Sequence, residues 1–193
     1  MIHQKAPNLP SADHITDKEL IGLCLNGHEG GYTGLYNRYA RKVYNSISRI
    51  VSHTGEAEDI LQDTFCAVFS EVAKLDGVLN IEAWVRRAAI NRSISHIRKR
   101  KILFSDMEEM DLENVADVEE DFEVLDCKVE DLKKSIESLP AGYKTIVNLH
   151  VFEKLNHEEI AVMLDLTATN VRTQYHRAKK KILLSLKDKV YYE

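Results

Sequence analysis

Proline is nearly absent from this chain: three in 193 residues, with Pro7 and Pro10 in the first ten positions and Pro140 far downstream. Glycine is scarce too, at eight, so few residues resist continuous helix. The three cysteines, Cys24, Cys66 and Cys127, are widely spaced, odd in number and form no CxxC pair, so neither a disulfide framework nor a zinc site is indicated and they read as buried thiols in a reducing compartment. Long apolar runs are missing, and the start MIHQKAPNLPSADH has no signal-peptide core, so no membrane insertion and a cytoplasmic location are expected. Gly-rich phosphate loops, metal-ligand spacings and serine-elbow motifs are absent as well. His150 and His157 are read as surface or core histidines rather than ligands. Glu108/Glu109, Glu119/Glu120 and Glu158/Glu159 are sequence neighbours, which a helix points about 100° apart, so they do not converge as acid and base. No enzyme activity and no cofactor are expected.

The charge is unevenly distributed. The net charge of −5 appears unsuited to a nucleic-acid partner. Residues 1–101, however, carry 14 Lys/Arg against 11 Asp/Glu, and residues 132–193 carry 11 against seven. Residues 102–131 hold one Lys against 13 acids. Two mildly basic modules are thus joined by a strongly acidic segment that cannot pack alone.

The apolar pattern is helical almost throughout. A first helix is expected over 17–25 with Thr16 as cap, ended by the glycines of GHEGG. A second runs over 32–52 with a stripe of Leu35, Tyr39, Val43, Ile47 and Ile50. A third covers 56–75, a loop with Gly77 covers 76–80, and a fourth helix covers 81 to about 101. The last module, from about Cys127, holds about four helices, the first two separated at Ser138-Leu139-Pro140. The expected fold is all-α: two small helical domains, 17–101 and 127–193, with a tail at 1–16 and an acidic linker at 102–126.

Residues 156–181, NHEEIAVMLDLTATNVRTQYHRAKKK, are the most informative stretch. Asn156 and Glu159 have the spacing of a capping box before a helix over 157–164. Asp165-Leu166 breaks that helix, and Thr167 can cap a second over 168–181. Its stripe of Val171, Tyr175, Ala178 and Ile182 opposes Thr169, Asn170, Arg172, Thr173, His176 and Lys180. Such a hairpin has the plan of a helix-turn-helix that enters a major groove. Any amphipathic hairpin shares the stripe, though, and a Lys-rich helix end also complements the macrodipole.

Two further helices carry a signal. In the fourth, Arg86, Arg87, Arg92, Arg98, Lys99, Arg100 and Lys101 stand against a single acid, Glu82, an excess suited to phosphate contacts. Its Trp84 is read as a core anchor in preference to a base-stacking platform. In the third, Glu58, Asp59, Gln62 and Asp63 form an acidic, polar face that repels DNA: it is either solvated or meets a basic protein.

Taken in order, AEDILQDTF at 57–65, AWVRRAAINRSISHIRKRK at 83–101 and SLPAGYKTIVNLHVFEKLNHEEIAVMLDLTATNVRTQYHRAKKKI at 138–182 resemble the extracytoplasmic-function class of bacterial RNA polymerase sigma factors. That resemblance covers about residues 17–190. It implies a transcription initiation factor whose partners are core RNA polymerase and promoter DNA, with an inhibitory anti-sigma factor usual in the class. It implies that Asp59, Gln62, Asp63 and Phe65 dock on the polymerase clamp helices. Asp76 and Asn80 become candidates for a −10 base pocket, and Arg86, Arg87, Arg98 and Arg100 for strand contacts there. Asn170, Arg172, Thr173 and His176 are placed for −35 base edges and Arg177, Lys179 and Lys180 for phosphates, with Thr169 also on the −35 face. The acidic linker would thread the polymerase near the RNA exit path. The chain departs from the class pattern at Ser95, where Asp is frequent, and at Asp165, where Gly is frequent. A stand-alone dimeric repressor leaves the acidic third helix unexplained, and a helical adaptor predicts no salt-dependent DNA affinity and no effect of removing Arg172 or Arg98.

Overall fold

Thr16 starts the first helix by a reciprocal cap. Its Oγ1 accepts from the Glu19 amide at 3.3 Å, and the Glu19 carboxylate accepts from the Thr16 amide at 2.7 Å. The computed structural model describes residues 15–99 and 129–190, and every regular element among them is helical. In order they are α1 (Asp17–Leu25), α2 (Glu29–Ser48), α3 (Thr54–Ser70), a 3-10 turn (Val72–Leu75), α4 (Ile81–Lys99), α5 (Val129–Glu137), α6 (Ala141–Val147), a π turn (Asn148–Phe152), α7 (His157–Leu164) and α8 (Ala168–Val190). The expected linker at 102–126, residues 1–14 of the tail, and Arg100 and Lys101 lie outside the described residues.

The chain divides into two units, Met1–Arg92 and Ser93–Glu193, the division falling within α4. In the first, α1 packs on α2 and α2 on α3. All five residues expected in the α2 stripe are buried. Asp17 locks α1 to α2: Arg38 donates to its Oδ1 at 2.6 Å, and the Tyr39 hydroxyl donates to its Oδ2.

α2 begins earlier than expected, at Glu29, because Gly30 and Gly31 are helical. The break is only Asn26-Gly27-His28, where Gly27 takes a φ of +74°. Gly31 serves packing: a Cβ there would sit 2.7 Å from the Cys24 amide nitrogen and 2.8 Å from the Leu20 carbonyl oxygen. The close approach of α1 needs its missing side chain. The expected third helix is likewise divided, into α3 and a 3-10 turn.

In the second unit, α8 packs against α5, α6 and α7. Ile136, Leu139, Tyr143, Val147 and Ala178 form one core cluster, with Tyr175 and Ile182 against it. Pro140 stands at the N-cap of α6, where its missing amide proton costs nothing. α8 extends nine residues beyond the expected Lys181, and near its far end the Ser185 and Ser135 hydroxyls meet at 3.1 Å.

Candidate nucleic-acid interface

The hairpin of α7 and α8 forms as its capping chemistry dictates. Asn156 Oδ1 accepts from the Glu159 amide at 2.8 Å, and Glu159 accepts from the Asn156 amide at 2.9 Å. Asp165 closes α7 in the left-handed region, φ 59° and ψ 45°, and the Leu166 amide bonds back to the Ala161 carbonyl at 2.9 Å. An aspartate thus fills the position that otherwise favours glycine, because a short polar side chain tolerates this backbone. Thr167 Oγ1 then accepts from the Asn170 amide at 3.1 Å and starts α8.

Along α8 the two faces separate as the 3.6-residue period requires. Val171 and Ala178 are fully buried, while Thr169, Asn170, Arg172, His176 and Lys180 are exposed. Thr173, Arg177 and Lys179 are half-buried at the edges. Eight candidate positions therefore share one helix, five of them on its open face. Asn170 is not free to turn: Gln174, one turn on and only 9% exposed, donates from Nε2 to Asn170 Oδ1.

Behind this face lies a cluster that the histidine spacing concealed. The His150 and His157 rings stack with centroids 4.7 Å apart, and Tyr175 of α8 meets them at 4.6 and 5.5 Å. His150 Nδ1 donates to the Leu155 carbonyl at 2.8 Å; a carbonyl only accepts, so the proton sits on Nδ1. His157 Nε2 is buried without a hydrogen-bond partner among the described residues. Burial foremost, then the charges of His150 and Arg172, hold His157 below the usual imidazole range, with Glu158 acting in the opposite sense. Burial also pushes Tyr175 up. Seven residues would be two turns of one helix, but these histidines lie on separate elements, which spacing alone could not reveal. Among the described residues no group of three or more potential ligands could hold a metal.

In α4 the buried stripe is Ile81, Val85, Ala89, Ile90, Ser93, Ile94 and Ile97. Trp84 is therefore not the core anchor it was expected to be: it is half-buried beside the stripe, as is Ala88. The pattern slips by one residue because Ala88 and Ala89 are equally apolar in sequence and only Ala89 faces inward. Arg86 and Arg87 are half-buried and Arg98 is exposed. Glu82 sits between Arg86, at 3.5 Å, and Lys42 of α2, at 2.5 Å. Asp76 is exposed. Asn80 is exposed as well; its Oδ1 accepts from the Ala83 amide at 2.9 Å as the cap of α4, which turns its amino group toward a base.

On α3, Glu58, Asp59, Gln62 and Asp63 are all exposed, and Cys66 continues their face. Phe65 is not on that face. It is buried, with its ring 4.9 Å from Tyr36 and 5.6 Å from Phe69 in edge and tilted packing.

Two family comparisons match successive parts of the chain. Residues 35–102 match the family described as Sigma-70 region 2, and residues 130–182 match Sigma-70, region 4. The chain belongs to the extracytoplasmic-function sigma factors. It is 26% identical over 181 residues to the ECF RNA polymerase sigma-E factor of Haemophilus influenzae, covering 89% of this chain and 95% of that one. To the ECF sigma factor SigW of Bacillus subtilis it is 27% identical over 181 residues, covering 89% and 97%. Among solved structures, the sigma factor RpoE bound to the anti-sigma factor NepR from Bartonella quintana has a similar fold (TM-score 0.51, 21% identity, 82% of this chain and 98% of that one). CnrH in complex with the cytosolic domain of CnrY does too (TM-score 0.51, 17% identity, 89% and 97%). This sigma factor is a transcription initiation factor that directs RNA polymerase to particular promoters. No helix among its described residues is long and apolar enough to cross a membrane.

Proposed function

We propose that the two units divide promoter recognition, the second reading the −35 element through the open face of α8 and the first engaging the −10 element through α4 and the loop at 76–80. The observation that carries this is the open face of α8, where Thr169, Asn170, Arg172, His176 and Lys180 stand exposed over a buried Val171–Ala178 back. Arg172, Asn170, Thr169, Thr173 and His176 read base edges, while Arg177, Lys179 and Lys180 position the helix on phosphates. At α4 and the loop before it, Asp76 and the Asn80 amino group receive an extruded base, and Arg86, Arg87, Arg98 and Arg100 hold the strand. Partly buried Trp84 lies on the same helix, where an aromatic side chain can take a stacked base.

Asp59, Gln62 and Asp63 dock α3 on core polymerase, and Phe65 supports them from beneath through its packing with Tyr36 and Phe69. The acidic segment 102–126 follows the nucleic-acid path of the polymerase. The protein acts in the cytoplasm without catalysis or cofactor of its own, and an anti-sigma factor binds it, as the anti-sigma factor NepR binds the sigma factor RpoE.

Mixing the full chain with core polymerase and sequencing run-off transcripts from a promoter library tests this. Specific start sites are expected. Alkylation of exposed Cys66, located by mass spectrometry, should be blocked in the holoenzyme, and Asp59→Ala with Gln62→Ala should weaken core association. Unchanged Cys66 labelling in a holoenzyme that transcribes specifically would remove α3 from the docking surface.

A further inference from the structure

Asn170 and Gln174 form a coupled pair in which the second residue fixes what the first can say to a base. Asn170 lies in the first turn of α8, its backbone amide tied to Thr167 Oγ1. Its side chain is exposed, yet its Oδ1 is turned back along the helix to accept from Gln174 Nε2. Gln174 stands between buried Val171 and Ala178 and is itself nine-tenths buried. Its Oε1 is buried with no hydrogen-bond partner among the described residues.

That orphan atom decides the orientation of both amides. Turning both round would put Gln174 Oε1 on the Asn170 amino group and leave the Gln174 amino group, with two donors, in the apolar position. A buried orphan N–H is rarer and costlier than an under-satisfied carbonyl, so the observed arrangement is favoured. Asn170 then presents its Nδ2 donors outward, while its Oδ1 is turned along the helix toward Gln174 and away from the side-by-side pose a bidentate contact needs.

We infer that Gln174 is a specificity-determining positioning residue that turns Asn170 into a donor-only reader of the major groove, favouring guanine over adenine at the base it meets. The inference rests on the reading of α8 as the −35 helix. Adenine is recognised by an asparagine whose Oδ1 and Nδ2 lie side by side, accepting from N6 and donating to N7. With Oδ1 held by Gln174, that pairing is broken, and adenine's N6 donors face Nδ2 donors. Guanine offers acceptors at both N7 and O6, which suit an amino group. Cytosine offers a donor at N4 and is the worst fit.

The test uses full-length protein with core RNA polymerase on promoters randomised through the −35 element, read by transcript sequencing. Asn170→Ala identifies the position that Asn170 reads. There, the wild type is expected to favour guanine over adenine by about fivefold or more, the discrimination of one good base contact. Gln174→Met keeps the volume, removes the donor and should erase most of that preference while the other positions keep theirs. Gln174→Glu can only accept, so it draws the Asn170 amino group back, presents Oδ1 and should invert the preference toward adenine and cytosine. Thermal unfolding by circular dichroism identifies a variant that does not fold, and the other variant then decides. If Asn170→Ala alters one position and neither folded Gln174 variant does, the coupling is wrong and the −35 reading stands. If Asn170→Ala alters no position, the reading of Asn170 fails and the inference with it.

Discussion

Adding one methyl group at each of two glycines should move stability in opposite directions. At Gly31, in α2, a Cβ would lie 2.7 Å from the Cys24 amide nitrogen and 2.8 Å from both the Leu20 carbonyl oxygen and the Leu23 Cβ. Two of those three atoms are backbone of α1, so relief requires the helices to separate. Overpacking of this kind costs about 1–3 kcal/mol, and here little of it can be relaxed by side-chain rotation. At Gly22, in α1, a Cβ would meet nothing within 4 Å. Alanine there only restricts the unfolded chain and should stabilise by about 0.5–1 kcal/mol. Gly34 falls between: its Cβ would meet Leu20 Cδ2 at 2.5 Å, the far end of a flexible side chain that can rotate away. The expected order of stability is therefore Gly22→Ala above wild type, then Gly34→Ala, then Gly31→Ala. Urea unfolding followed by circular dichroism measures it, the first unit's transition moving and the second unit's staying fixed. A Gly31→Ala protein as stable as wild type would refute the close α1–α2 approach.

Arg172→Ala should lose about 1–3 kcal/mol of discrimination at one −35 position, whereas Lys180→Ala should weaken binding evenly and lower the salt slope by about one; competition binding of the holoenzyme on promoter variants separates them. Asn156→Ala removes one half of the α7 capping box and should cost the second unit about 1 kcal/mol, read by chemical unfolding. His157 titrates lower in the folded protein than in the unfolded chain, so below about pH 6.5 the unfolded chain takes up the proton first. The second unit should therefore lose stability as pH falls from 6.5 and stop losing it once the folded imidazole also protonates. In His157→Phe that slope should shrink, and an unaltered slope would mean that another group is responsible.

Local chemistry made much of this legible beforehand. Asn156 with Glu159, Thr16 with Glu19, and Val171 with Ala178 each state a cap or a period within a few residues, and the structure follows them. What escaped depends on distant partners. Gly31 reads as a helix breaker until α1 is placed against it. Trp84 reads as core until the inward register chooses Ala89 over Ala88. Phe65 lies within an acidic stretch, yet its neighbours Tyr36 and Phe69 keep it inside. The His150–His157 stack exists because a π turn and the start of α7 bring separate elements together.

The reach of α8 has a consequence for control. It touches α5, α6 and α7 in turn, with Val171 and Ala178 buried along its length and Leu186 near its far end. The helix proposed to face DNA is thus the spine of its unit and not an appendage. It cannot melt by itself, because melting would uncover the apolar side of every neighbour at once. Its amides should exchange with deuterium only when the whole unit opens. A regulator that silences upstream recognition must therefore cover this unit or carry it away intact, and one that bound a loosened recognition helix would find almost none to bind.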